Sequence, residues 1–514
     1  MNKYVTILLA CIFLMPPFCY MRLSSVNADS NIIHVPSVEY PTIQDAIDSA
    51  IPGTTIFVAR GTYVEHFSIR QSLFLIGEDR DTTIIDGFDA GNVIAITADN
   101  VAIESLTITK SVPRTFDTGI AVDRARGIFV NNTKIVNVYT GLSFYSSTNN
   151  VISNSIIAND TSGIVLLYSN NNLFSNNIFS GNSRAISASY SSLSTFVGNT
   201  FSRDAVGVFL ASSSNRNYFY HNNFKDEVQI SNGSYNTWNR GNEGNYWASY
   251  NFTGRDVNDD GIGEEPYRLD DSNVDYYPLM GTYAEYGISF GNVTYLITII
   301  SGSAISDLRF EIDRETGNKI INFNVAQDNG TIWFCRIMIP TSLMGPPFKV
   351  ASTAEVMSAS LLSVSNATNS YLYFSYPSDQ MTVSVIYSRE LELYEELLDD
   401  YAKLKTSLLD LNSTYQSMLT NYTAGYQTLL SKFNALLENF TRLQNDLLSL
   451  DSSLRQSLSN QSESAQNSRN LAYVFAALTA AFLVTTVYLS SRLYAAKKPK
   501  NYLGEEEAQA SSRT

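Results

Sequence analysis

The chain has 514 residues and a net charge of −15, and only 16% of its residues are charged, while Tyr (32) and Phe (27) are abundant. An acidic chain with no basic stripe excludes nucleic acid as a partner class. Polar turn residues mixed with aromatic and β-branched ones point away from a helical enzyme and toward stacked β-structure.

The N-terminus carries Lys3, an apolar run from Val5 to Met15, and small residues up to Ala28, the pattern of a secretory signal over residues 1–28. Cys11 and Cys19 fall inside it, which leaves Cys335 as the one cysteine of the mature chain; in an apolar run it reads as a buried structural thiol. Ile43 to Ala50 reads as an amphipathic cap helix ended by Pro52-Gly53, followed by strand-like runs at Thr55–Ala59, Leu73–Ile76 and Thr83–Ile85.

A fixed period then appears. Rows of 22 residues begin at Gly119, Gly141, Gly163, Ala185 and Gly207, and they align without insertion. The second column reads Ile120, Leu142, Ile164, Ile186, Val208; the twelfth reads Val130, Ile152, Phe174, Phe196, Tyr218; the fourteenth opens Asn132, Asn154, Asn176. Apolar columns become a continuous core when coils stack, and Asn columns become amide ladders at turns. Three short strands per 22-residue turn predict a parallel β-helix over residues 29–280.

Two columns are candidate sites. The twentieth reads Asp160, Asn182, Asp204, Asp226. Coils stack about 4.8 Å apart, so these carboxylates are spaced at the ~5 to ~9.5 Å that glycoside hydrolysis uses. The same column arises from Asp and Asn exchanging freely at a turn. Tyr168 and Tyr190 share the sixth column and offer either an aromatic platform for a sugar ring or a plain external stack.

The opening segments Tyr40–Ala50, Gly61–Glu65, Leu75–Glu78 and Ile84–Gly87 resemble the first coils of pectin-lyase-like right-handed β-helices. The 22-residue rows, with Asn245–Trp247, Asp256–Gly261, Pro266-Tyr267 and Tyr277–Leu279, resemble the NosD branch of periplasmic and archaeal surface proteins. The resemblance covers residues 32 to 280 and implies an all-β right-handed parallel β-helix; it says little of function. It also suggests copper. The residues argue against copper: His34, His66 and His221 show no paired spacing and no Met cluster accompanies them.

Asp256, Asn258 and Asp260, followed by Gly261 and Glu264, match the first half of a calcium loop, although Tyr267 stands where the closing carboxylate belongs. The alternative is an acidic turn without metal. Residues 281–388 lose the period and alternate as the strands of a small antiparallel β-sandwich.

From residue 389 to 470 apolar residues recur at alternating spacings of four and three between Leu397 and Leu454, with one stutter at Tyr422 and no proline. This heptad seam predicts a straight, self-associating coiled-coil stalk about 120 Å long; the alternative is a hairpin folded near Gly425. Residues 471–491 carry no charge and span about 31 Å as a helix, enough for one membrane crossing. Arg492, Lys497, Lys498 and Lys500 then place the tail, 492–514, in the cytoplasm. N-x-S/T sequons lie from Asn131 to Asn460, all on the predicted outer side. The expectation is a single-pass cell-surface protein that binds a polysaccharide, glycan or envelope polymer, with a membrane-anchored hydrolase or lyase, or a metal-handling accessory protein, as the alternatives.

Overall fold

Alternation of apolar and polar residues over three to six positions sets the strands, and single left-handed residues set the corners between them. The structure is a computed structural model. It describes residues 31–460 and 477–487, apart from 89–90, 111–115, 212, 231–233, 251–255, 327–332, 353–355, 377–379, 388 and 420–426. Two compact units divide at Tyr387 and Ser388.

The first unit opens with strand Ile32–Val35 and the cap helix Ile43–Ser49. Thr42 caps that helix by accepting from the Asp45 amide, and Ile43, Ala46 and Ile47 cover the open end of the core. Three parallel sheets of nine, nine and eight strands then wind as a solenoid. The first sheet runs through Phe129–Asn131, Val151–Ser153, Leu173–Ser175 and Thr195–Val197; the second through Lys134–Val136, Ile156–Ala158 and Ile178–Ser180; the third through Thr118–Asp123, Thr140–Tyr145, Ser162–Leu167 and Arg184–Ser189. Each strand pairs with the residue one coil on, as Ile120 with Leu142 and Ile135 with Ile157. The core is aliphatic in the early coils. It becomes two aromatic stacks later: Phe174, Phe196, Phe219 and Trp238 at 4.3–4.8 Å between neighbours, and Phe179, Phe201, Phe224 and Trp247 at 4.4–5.0 Å.

Two expectations about the rows change. Phe219, not Tyr218, pairs with Phe196 and enters the core, and Tyr218 is 45% exposed. Leu210 still pairs 22 residues back with Ala188, whereas Ser214 stands 23 beyond Ser191, so the corner between them holds one extra residue. The fourteenth column is not the amide ladder either. Asn132, Asn154 and Asn176 adopt φ of 47–56° and turn the corner. The ladder is the next column, where the side-chain oxygens of Asn199, Asn222 and Asn245 each accept the backbone N–H of the ladder residue one coil before, at 3.0–3.1 Å.

Residues 282–387 form two five-stranded antiparallel sheets around a separate core, with Cys335 fully buried and its thiol pushed up by burial. The first strand of this sandwich rests on the solenoid: Asn223 exchanges hydrogen bonds with the Tyr283 backbone, and Asn176 donates to Glu285 at 2.8 Å.

The second unit contains helices Arg389–Leu419 and Gln427–Asn460. The Tyr394 hydroxyl donates to Asp451, and the rings of Tyr401 and Phe440 stack at 5.7 Å. Early residues of one helix meet late residues of the other, so the segment is an antiparallel hairpin, not the straight stalk. A short connection makes pairing of the two half-seams within one chain cheap in entropy. Of the predicted membrane span only residues 477–487 are described; they are helical, and among the described residues no helix is long and apolar enough to cross a membrane. The predicted signal segment and cytoplasmic tail lie outside the described residues.

Candidate functional site

At the end of each third-sheet strand one residue in left-handed conformation turns the chain toward the first sheet: Arg124, Ser146, Tyr168 and Tyr190, with φ of 50–53°. Directly after Ser146, Tyr168 and Tyr190 a serine points inward, with Ala125 in its place after Arg124, and the Ser147 and Ser169 amides donate to the hydroxyls of Ser169 and Ser191 one coil on. This buried serine ladder fixes the corner and throws the preceding side chain outward. Tyr145, Tyr168 and Tyr190 are 42–49% exposed. The Tyr168 and Tyr190 rings lie 5.0 Å apart and 16° from parallel; Tyr145 meets Tyr168 edge to face at 6.2 Å; the Arg124 guanidinium sits 5.8 Å from the Tyr145 ring. Bulky residues pay about 1–2 kcal/mol for the left-handed conformation, so two successive tyrosines there are a costly choice for a turn. Stacking hides the ring faces that Tyr168 and Tyr190 turn to each other and leaves edges and hydroxyls exposed, a row of alternating apolar and hydrogen-bonding contacts.

The carboxylate column stacks one residue per coil, and Asp160 and Asp204 point into the stack, away from any surface chemistry. Asp160 and Asp204 are only 4% and 7% exposed, and Asp226 is half-buried. The Val138 amide donates to Asp160 Oδ1 at 2.9 Å, the Asn182 amide to Asp204 Oδ1 at 2.7 Å, and the Asp204 amide to Asp226 Oδ2 at 3.0 Å. Burial pushes the Asp160 carboxyl up to about 8 and that of Asp204 to about 7, the latter helped by Asp226. These residues form a rung-to-rung ladder inside the stack and line no groove.

The Asp256 loop closes on itself. Asp256 accepts from the amides of Asp260 and Gly261 at 2.9 and 2.7 Å, Glu264 accepts from the Val257 amide, and Asn258 donates to Asp260 at 3.2 Å. The carboxylates face backbone donors and each other's neighbours, and among the described residues no group of three His, Cys, Asp or Glu converges as a metal cage. Asp256, Asn258, Asp260 and Glu264 thus share one loop that backbone amides hold together.

Residues 47–252 match the protein family described as "Periplasmic copper-binding protein (NosD)". The solenoid is a NosD-like right-handed parallel β-helix. No curated protein matches the chain. Solved structures similar to it include an alginate lyase from Paenibacillus sp. (14% identity, TM-score 0.34, 42% of this chain and 94% of that one). Others are a pectin methylesterase from Aspergillus niger (16%, TM-score 0.30, 42% and 87%) and open reading frame 18 of Geobacillus virus E2 (12%, TM-score 0.30, 66% and 74%).

Copper does not fit the histidines of this NosD-like β-helix. His34 packs edge-on against Phe57, His66 Nδ1 is 3.0 Å from the Asn92 carbonyl, and His221 is committed to Glu243 at 2.7 Å and stacked on Tyr283. They sit in three separate places.

One polar centre escaped the sequence. Glu243, from the closing coils, accepts from His221 at 2.7 Å and from Arg336 of the sandwich at 2.5 Å. Burial works against the charge on Glu243, but the His221 hydrogen bond and the Arg336 charge outweigh it and hold the carboxyl down at about 2. The neighbouring cavity is lined by Tyr283, Thr298, Ile300, Met338 and Tyr371. No local signal announces it, because Glu243 and Arg336 stand 93 residues apart. It joins the NosD-like β-helix to the sandwich and serves as a structural tie.

Proposed function

We propose that the NosD-like β-helix is a recognition surface for an extended carbohydrate or envelope polymer, held along the row Arg124, Tyr145, Tyr168 and Tyr190. The observation that supports this reading is the exposed tyrosine row, with Tyr168 and Tyr190 at left-handed corners one coil apart and Tyr145 at the strand end before them. A polymer with a repeating hydroxylated unit meets phenol hydroxyls and ring edges at a matching repeat of about 4.8 Å. The cations nearby are partly neutralised, Arg126 by Asp99 at 2.9 Å and Arg124 beside Asp123, so the row favours a neutral polymer over a strongly acidic one. The charge-free stretch 471–491 with its basic flank supports a cell-surface, membrane-anchored placement, in which the protein acts as an adhesion or scaffold component.

The test is a glycan-array screen of the full-length protein purified in detergent, beside the double variant Tyr168→Ala/Tyr190→Ala. Selective binding by the wild type that drops at least about tenfold in the variant, with unchanged circular dichroism, is the expected result; loss of one stacking contact per ring is worth about 1–3 kcal/mol. A folded wild type that retains no glycan overturns the reading, and so does a variant that binds as well as the wild type.

A further inference from the structure

The ladder containing Asp160, Asn182 and Asp204 carries a proton problem that its geometry solves in one way. Asn182 shows what the column requires of a side chain. Its Oδ1 accepts from the Asp160 amide at 3.0 Å, and its Nδ2 donates to the Ile157 carbonyl at 3.1 Å and to Asp204 Oδ1 at 2.8 Å. The neighbouring ladder repeats the pattern: the Nδ2 groups of Asn177, Asn199, Asn222 and Asn245 donate to the carbonyls of Ile152, Phe174, Phe196 and Phe219. Each rung therefore offers an acceptor toward one coil and a donor back toward the core-facing strand.

Asp160 and Asp204 keep the acceptor half of this pattern through Oδ1. Their second oxygens occupy the donor half, where a carboxylate has nothing to give. Both Oδ2 atoms are buried and without a hydrogen-bond partner. An ionised carboxylate at such a place carries a desolvated charge with half its acceptor capacity unused, a costly arrangement. A carboxylic acid, with an O–H on Oδ2, reproduces the amide: one acceptor, one donor, no charge. The charges that bear on the two groups make ionisation worse, since Asp160 feels Asp204, and Asp204 feels Asp226 one coil further on. The other groups packed around Asp160 are Val138, Gly141, Ile157 and Asn182, all uncharged.

We infer that Asp160 and Asp204 are held in the folded β-helix as protonated carboxylic acids that act as amide mimics, so that the stack of coils loses stability as pH rises. The direction follows from linkage. The unfolded chain releases both protons near pH 4, whereas the folded chain keeps them until about pH 7 for Asp204 and about pH 8 for Asp160. Between those limits the folded state holds more protons than the unfolded one, and stability falls as pH rises; below pH 4 and above about pH 8 these groups add no slope.

The experiment is thermal unfolding of the full-length protein from pH 5.5 to 9, for the wild type and for Asp160→Asn/Asp204→Asn. Asn182 shows that asparagine fits this column with all its hydrogen bonds made. The wild type is expected to lose about 5 °C or more of Tm across the range, the variant to lose much less, and the variant to be the more stable protein at pH 9. A variant that follows the wild-type slope, or is less stable at every pH, overturns the inference. Infrared difference spectra of the wild type against the variant give a second readout, since the buried Asp275 carboxyl is itself pushed up to about 6. A protonated-carboxyl carbonyl band at pH 6 that disappears by pH 9 supports the assignment, and its absence at pH 6 refutes it.

Discussion

Arg336 of the sandwich donates to Glu243 of the β-helix at 2.5 Å, and the Arg336 side chain is almost fully buried. The same carboxylate accepts from His221, whose ring stacks on Tyr283 with 4.1 Å between centroids. Glu243 thus ties the sandwich to the β-helix, beside the hydrogen bonds that Asn223 makes with the Tyr283 backbone and Asn176 with Glu285.

Glu243→Gln should cost about 3–5 kcal/mol, because it strands the buried Arg336 charge without a partner. Denaturant unfolding of wild type and variant gives this difference. The wild-type contribution is present above the ordinary glutamate range and is lost as pH falls through about 2, since the folded carboxyl lies below its unfolded value. A variant as stable as the wild type at pH 7 would show that the tie is idle.

Phe219 and Tyr218 separate the observed register from the one the uninterrupted 22-residue row implies. Phe219→Ala should destabilise the β-helix by about 3–5 kcal/mol, since its ring sits between Phe196 and Trp238 in the core stack. Tyr218→Ala, at an exposed position, should stay within about 0.5 kcal/mol of the wild type. The reverse ranking would move the extra residue out of the Ala211–Ser213 corner.

Asp256→Asn removes one of two oxygens that accept from Asp260 and Gly261. The expected cost is about 1–2 kcal/mol. Because backbone amides already hold both Asp256 oxygens, Tm should be the same in calcium and in chelator. A rise of several degrees with calcium, abolished by the substitution, would make the loop a metal site.

Spin labels at Ala402 and Thr441 test the hairpin. Tyr401 and Phe440, their neighbours in sequence, stack on each other, so the labels should lie within about 20 Å. A continuous helix would hold them about 58 Å apart at 1.5 Å per residue. Short distances in a protein diluted with unlabelled copies show an intrachain hairpin; distances near 58 Å restore the straight stalk.

Much of this protein was written along the chain. Inward columns such as Ile120, Leu142, Ile164 and Ile186 recur at a fixed spacing, and strand alternation then leaves one way for successive coils to stack. Ile43 to Ala50 announce the cap helix, and the loss of period from residue 281 announces the sandwich. The sequence also determined that Asp160, Asn182, Asp204 and Asp226 share a column. Which way they point was decided only by tertiary structure, because one left-handed residue at a corner swings its neighbours inward or outward, and a one-residue shift exchanges the faces. That rule sent Tyr168 and Tyr190 to the surface, put Asn177 and Asn199 into the ladder in place of Asn154 and Asn176, and buried carboxylates whose spacing alone left open a catalytic pair or a turn. The bond between Glu243 and Arg336, and the return of the second long helix along the first, depend on meetings between distant segments. A local pattern sets which faces are apolar; packing decides which of those faces meet.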